Sequence, residues 1–287
     1  MKAAVFDYRS AADLADAVQR LAEGDGRAKL MSGSQSFGPM LNLRLARPQT
    51  VIDISRLPAL AGVREAGGSI VIGAGVTHAA IEDGVHAPLR EHPLRAVAAG
   101  IAYRAIRNRG TVGGSLAHAD PAADWMVTLT ALGAALQLRS PRGERELALA
   151  AFMHAAYTTD LADDEVIVSV RVPAARGGRW GYYKFCRKPG EFAEASAAVW
   201  QAAPGAPLTI VLGALDGAPQ ALPALAEAIA RDGAAAATRE RIAAAVAAAL
   251  PERQPLDCQL HAACVARALA QAGWTAPVAV AGAEAAE

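Results

Sequence analysis

Two short glycine- and hydroxyl-rich segments, about eighty residues apart, constrain this chain more tightly than any other feature of it. The first reads S-G-S-Q-S-F-G, Ser32 to Gly38, and follows the largely apolar run Ala28-Lys29-Leu30-Met31. The second reads T-V-G-G-S-L-A-H-A-D-P-A-A-D, Thr111 to Asp124, and follows a basic stretch from Arg104 to Arg109. Neither carries the Lys-Ser/Thr that completes a P-loop. Neither is a Gly-x-Gly-x-x-Gly placed after a strand, so the common nucleotide fingerprints are absent. Both set small residues beside Ser and Thr hydroxyls. Backbone of this kind has no Cβ in the way and offers its N–H groups to an anion at close range. Two such segments point to opposite sides of one diphosphate.

The bulk properties remove other classes. The 287 residues suffice for one large domain or two to three smaller ones. Lys+Arg and Asp+Glu both number 28, which leaves no overall field to hold nucleic acid or an anionic membrane. The longest uncharged run, Ala195 to Leu215, is interrupted by Pro204, Gly205 and Pro207 and does not read as a transmembrane segment. The opening Met-Lys-Ala-Ala-Val-Phe-Asp has no apolar stretch of signal-peptide length. Three cysteines, Cys186, Cys258 and Cys264, are few and odd in number, as expected in a reducing cytoplasm. They also cannot hold an iron–sulfur cluster by thiolates alone, since that takes four.

Along the chain, Leu14, Ala15, Val18 and Leu21 fall at helical spacing within residues 11–22, and Gly24 stops that helix. With strands at Leu30-Met31 and Thr50–Ile54, residues 1–56 read as a small β-α-β unit. A strand at Ser69–Ile72 leads to Gly73-Ala74-Gly75, read as a turn. Helices follow at Pro88–Gly100 and Trp125–Leu132, then strands at Ala134–Leu138 and Glu165–Val172. Pro173 and Gly177-Gly178 mark a boundary. Beyond it, Trp180–Arg187, Ala195–Gln201 and Leu208–Leu215 form a three-stranded meander, with helices within Ala221–Ala230, Thr238–Leu250 and His261–Ala272. Strands followed by helices imply an α+β domain.

The remaining polar residues each admit a plain reading. Asp120 starts a turn at Pro121, and Asp124 either caps the following helix or accepts hydrogen bonds from a ligand. A metal held by His118, Asp120 and Asp124 would need an unusual fold-back. The other histidines form no ligand motif and read as surface or locally bonded. No Gly-x-Ser-x-Gly is present. Cys186 lies among Phe185, Arg187 and Lys188, where an alternating strand buries a thiol as a small hydrophobe. The basic runs Arg104–Arg109 and Lys184–Lys188 read as solvated, with a role in balancing an anionic cofactor as the alternative.

Taken together, three segments resemble a known family: A-K-L-M-S-G-S-Q-S-F-G-P-M-L-N-L-R-L-A-R-P from Ala28 to Pro48, R-N-R-G-T-V-G-G-S-L-A-H-A-D-P-A-A-D from Arg107 to Asp124, and Y-K-F-C-R-K-P-G-E-F-A from Tyr183 to Ala193. In order and spacing the chain is similar to the FAD-binding medium subunit of the molybdenum hydroxylases, the group of carbon monoxide dehydrogenase and the xanthine dehydrogenase-type enzymes. The resemblance implies an α+β fold of the vanillyl-alcohol-oxidase/PCMH type. Residues 1–175 would form the FAD-binding domain, with subdomains of about 1–56 and 57–175. Residues 176–275 would form a C-terminal domain of a three-stranded sheet and helices, and 276–287 a flexible tail.

By the same resemblance the two loops wrap the FAD diphosphate. Lys29, Leu30, Met31, Ser32, Gly33, Ser34, Gln35 and Ser36 would form one cradle, and Thr111, Val112, Gly113, Gly114 and Ser115 the other. Ile101, Asp124, Ile167 and Lys184 align with further FAD contacts, and Phe192 would lie near the isoalloxazine. Two departures stand out: Ser34 replaces a glycine common in the first loop, and Ser115 stands where Asn or Asp is frequent.

The implied role is electron transfer. Substrate is hydroxylated at a molybdenum cofactor in a large subunit, electrons pass through [2Fe–2S] clusters in a small subunit, and the FAD held here hands them to an outside acceptor. The implied assembly is a dimer of heterotrimers, and the scheme asks no catalytic acid or base of this chain. Three other readings use the same loops: a stand-alone flavin oxidase, a flavin-free assembly scaffold, and a nucleotide-binding module without redox work.

Overall fold

A computed structural model describes residues 2–274, so the tail expected at 276–287 lies outside the described residues. The chain begins with a three-stranded parallel sheet. Strand β1 (Asp7–Ser10) is followed by helix α1 (Leu14–Glu23), β2 (Ala28–Met31), the short helix α2 (Phe37–Asn42) and β3 (Thr50–Asp53), with β3 between the other two strands. The expected β-α-β unit is present, with one strand added before it. Asp13 starts α1 by accepting from the Asp16 amide at 2.8 Å, and Leu14, Ala17, Val18 and Leu21 bury one face. Gly24 ends it where a Cβ would lie 2.3 Å from that of Ala28.

Next comes an antiparallel sheet ordered β4-β5-β10-β6-β7. Strands β4 (Val63–Ala66) and β5 (Ser69–Gly73) precede five helices: α3 (His78–Glu82), α4 (Leu94–Ala99), α5 (Arg104–Arg107), α6 (Val112–His118) and α7 (Asp124–Ala131). Then follow β6 (Ala135–Ser140), β7 (Gly143–Ala148), the small hairpin β8 (Met153–Ala155) with β9 (Thr158–Thr159), and β10 (Val166–Pro173). The helix expected over Pro88–Gly100 is broken. Residues Ala87–Leu89 make one 3₁₀ turn and α4 starts afresh at Leu94, because Pro93 has no amide to donate and restricts His92 before it.

The third part is an antiparallel meander of β11 (Arg179–Phe185), β12 (Ala195–Gln201) and β13 (Leu208–Gly213), extended by the two-residue β14 (Gln220–Ala221). Helices α8 (Pro223–Asp232), α9 (Arg239–Ala249) and α10 (Pro255–Gln271) follow. Helix α10 begins at Pro255 rather than near His261, since Pro suits a first helical position. It packs on the meander so closely that a Cβ at Gly181 would fall 1.8 Å from the Ala268 carbonyl oxygen.

One apolar cluster joins α1 to the antiparallel sheet and α7, and a second fills the space between the meander and α8–α10. A third, small cluster lies between α7 and the meander, where Val127 and Ala131 meet Ala198 and Val211. No described helix is long and apolar enough to cross a membrane.

Candidate functional site

The first loop leaves the end of β2, where Met31 pairs with Asp53 and its carbonyl accepts from Ile54. The next five amides, Ser32 to Ser36, donate to no acceptor among the described residues. Donation resumes only at Gly38, whose amide reaches the Ser34 carbonyl at 3.0 Å. A run of free N–H groups between a strand end and a helix start is backbone that can accommodate an anion. Ser34 adopts φ +60°, the left-handed region, which explains why glycine suits this position.

The two loops meet. A Cβ on Gly33 would stand 2.0 Å from the carbonyl oxygen of Arg109, so only glycine permits that approach. The Thr111 hydroxyl donates to Ser32 Oγ at 3.3 Å and accepts from the Gly114 amide at 3.1 Å. One hydroxyl therefore ties both loops together. Gly114 is exposed, and a Cβ there would meet that same oxygen at 2.8 Å.

The second loop is nevertheless unlike the first. Its amides are already engaged: Val112 donates to Val76, Gly113 to Ala74 and Ser115 to Thr111, at 2.9–3.1 Å. A Cβ on Gly113 would lie 2.5 Å from that of Ala74. This loop thus offers hydroxyls and an open glycine surface, fixed on a rigid seat. That seat is Gly73-Ala74-Gly75, the turn expected there, closed by the Val76 amide donating to the Gly73 carbonyl at 3.0 Å and packed tightly besides. A Cβ on Gly73 or Gly75 would come within 2.3 or 3.0 Å of the Leu60 carbonyl oxygen.

His78 braces the entry to the second loop. Its amide donates to the Gly110 carbonyl, and its Nδ1 accepts from the Trp125 indole at 3.1 Å. Burial, aided by the nearby Arg107, lowers its pKa to about 4 and keeps the ring neutral.

Of the two readings of Asp124, the geometry excludes the helix cap. The N-cap of α7 is Ala123, and Asp124 occupies the first helical position without capping. Its Oδ1 instead accepts from the Tyr182 hydroxyl at 2.8 Å and pairs with the Lys184 ammonium at 2.8 Å. Lys184 also donates to the Gly100 carbonyl at 2.8 Å, just before Ile101. Desolvation and the neighbouring carboxylate hold the Tyr182 hydroxyl well above the usual phenol range. Sequence reading missed Tyr182, although its spacing from Lys184 was a usable signal: residues two apart on a strand share a face. Asp120 does begin the turn at Pro121, accepting from the Ala122 amide at 2.9 Å. Among the described residues no three His, Cys, Asp or Glu side chains gather as a metal site.

A strap, residues 100–111, joins the Asp124 cluster to the paired loops. Arg107 binds both carboxylate oxygens of Glu82 at 2.7 and 2.9 Å and donates to the carbonyls of Ile101 and Ala102. Arg104 clasps Asp83 at 2.7 and 2.6 Å. The Arg107 guanidinium holds the Glu82 carboxyl below its usual range. These two arginines shape the strap, being spent on carboxylates of α3 and the residue after it.

The other expected residues spread out. Lys29 reaches toward Asp163 at 3.4 Å, and Leu30 packs on the core. Ile167 is buried on β10 beside a bulge, and the neighbouring Val168 carbonyl accepts from the Ala74 amide of the seat under the second loop. Phe192 is 65% exposed on the β11–β12 connection. In that connection Gly190, at φ +87°, lies against Tyr103 of the strap. Cys186 falls just past the end of β11 and is half-buried, short of the buried position expected.

Residues 4–175 match the family described as the FAD binding domain in molybdopterin dehydrogenase. The chain belongs to that family. As a member of the molybdopterin dehydrogenase FAD-binding family, it is an oxidoreductase subunit that binds FAD. It is 40% identical over 202 residues to the nicotine 6-hydroxylase medium subunit of Paenarthrobacter nicotinovorans, spanning 69% of this chain and 70% of that one. To the carbon monoxide dehydrogenase medium chain of Hydrogenophaga pseudoflava it is 40% identical over 198 residues, 68% of each. A solved structure of carbon monoxide dehydrogenase from that organism superposes with TM-score 0.83 at 32% identity, covering 95% of this chain and 99% of the other. The α+β flavin-binding fold read from the sequence is therefore the fold of this chain.

The residues present fit FAD. Five amides without an acceptor among the described residues lie beside an inter-loop contact that any Cβ at Gly33 would fill, as a diphosphate at close range requires.

Proposed function

We propose that this chain is the flavin-bearing electron-transfer subunit of a heteromeric molybdenum hydroxylase. It takes electrons from [2Fe–2S] clusters of a small partner subunit, after substrate oxidation at the molybdenum cofactor of a large one, and passes them to an external acceptor. In this reading residues 1–175 form the FAD domain, with subdomains about 1–56 and 57–175, and 176–275 the C-terminal domain. The assembly is a dimer of heterotrimers in the cytoplasm.

The observation that carries the reading is the single Thr111 hydroxyl joining Ser32 to the Gly114 amide, beside five free N–H groups. Bound FAD supplies the redox chemistry. This chain's residues bind and orient it. The amides of Ser32 to Ser36 take the diphosphate charge, Thr111 and Ser115 add hydroxyls, and Asp124 accepts a hydrogen bond from a polar group of the cofactor. The strap with Ile101, the β10 segment with Ile167 and the connection with Phe192 complete the walls.

Purified chain should carry bound yellow FAD, identified after release. Gly114→Asp should lose it, because the new carboxylate would face the diphosphate from the open side of the second loop. A colourless wild-type chain whose melting temperature does not move on FAD addition would defeat the proposal, as would a Gly114→Asp protein that stays yellow.

A further inference from the structure

Asp124 is only 7% exposed, yet its two carboxylate oxygens are treated differently. Both protein donors, the Tyr182 hydroxyl and the Lys184 ammonium, converge on Oδ1 at 2.8 Å. Among the described residues no hydrogen bond is donated to Oδ2. A carboxylate has lone pairs on both oxygens and is free to rotate about its χ2. Two donors on one oxygen remove that freedom and leave the other as the single available acceptor.

From this arrangement we infer that Tyr182 is a positioning residue for the flavin site: it fixes the Asp124 carboxylate so that Oδ2 points at an N–H or O–H donor of the cofactor. Lys184 alone does not do this, because its ammonium is shared with the Gly100 carbonyl and sits on a flexible stem. The Tyr182 hydroxyl, held on a rigid ring packed against the α7–meander cluster, has one described partner only, Asp124. The residue comes from β11, beyond the stretch that matches the family, so the C-terminal sheet takes part in orienting a group of the FAD domain.

The inference rests on the FAD-binding reading above, and its test separates the two. FAD is titrated into flavin-free full-length chain, following the quenching of flavin fluorescence, for wild type, Tyr182→Phe, Asp124→Ala and the double variant. Tyr182→Phe keeps the ring and its packing, and flavin-free melting temperatures report any general damage. The expected result is a roughly tenfold weaker Kd for Tyr182→Phe, about 1.4 kcal/mol. No further loss should appear when the change is made in the Asp124→Ala background, as a residue acting only through Asp124 requires. Wild-type affinity in Tyr182→Phe would overturn the inference, and so would an equal additional loss in the Asp124→Ala background. Failure of the wild-type chain to bind FAD would instead strike the underlying site.

Discussion

Replacing Gly33 by alanine is the sharpest probe of the paired loops. The new Cβ would sit 2.0 Å from the Arg109 carbonyl oxygen, 2.7 Å from its carbon and 2.9 Å from Gly110 Cα, all backbone. Against ordinary contact at 3.4 Å, the loops must part by more than 1 Å at that point. The Thr111–Ser32 hydrogen bond, already long at 3.3 Å, does not survive such a shift. Overpacking of this kind costs about 1–3 kcal/mol. It acts on the wall of the proposed diphosphate cradle, so an FAD Kd at least roughly tenfold weaker is expected, the equivalent of about 1.4 kcal/mol. Melting of the flavin-free chain should fall by about 2–4 °C per kcal/mol. Gly62→Ala is the matched control, since its Cβ would meet nothing within 4 Å. Flavin titration and thermal denaturation read both effects. If Gly33→Ala binds FAD as wild type does, the loops do not share one ligand and the reasoning fails.

Ser34→Gly should raise stability by up to about 1 kcal/mol, because the left-handed φ of +60° costs a side-chain-bearing residue about 1–2 kcal/mol, partly offset by the greater freedom of glycine when unfolded. Its melting temperature checks this, and a lower value would show that the Ser34 side chain contributes more than its strain removes. The neutral His78, with its pKa depressed from 6.5 to about 4, stabilises the fold fully above pH about 6.5, and that contribution is lost as pH falls toward 4. The full loss is on the order of 3 kcal/mol. Comparing melts of wild type and His78→Gln at pH 7 and pH 5, the wild type should lose more on acidification; equal losses would contradict the buried neutral ring.

Much of this architecture is written locally in the sequence. The β-branched runs at Thr50–Asp53 and Ser69–Gly73 form strands, and α1 carries its cap and apolar stripe within a dozen residues. Edge strands β4 and β7 escaped because Val-Arg-Glu-Ala and Gly-Glu-Arg-Glu-Leu-Ala hold charges where a two-sided core strand would be apolar. At the site, the free amides of the first loop were legible because strand end, glycine and helix start are contiguous. The engagement of the second loop was not. Its amides are taken by Ala74 and Val76, and no local pattern near Gly113 announces a partner so far back in the chain. The protein partners of Asp124 were hidden for the same reason: they lie on β11, and a cap and a buried ion pair look alike until the strand is placed.

The five amides of the first loop that donate to no described acceptor also bear on how the protein must be handled. In flavin-free chain, solvent serves these N–H groups, and so will any small oxyanion at sufficient concentration. If the first loop holds the FAD diphosphate as proposed, phosphate or sulfate buffers should compete there, and a titration run in them should read weaker than one run in a zwitterionic buffer. The size of that difference measures how much of the cofactor's grip comes from its bridging phosphates.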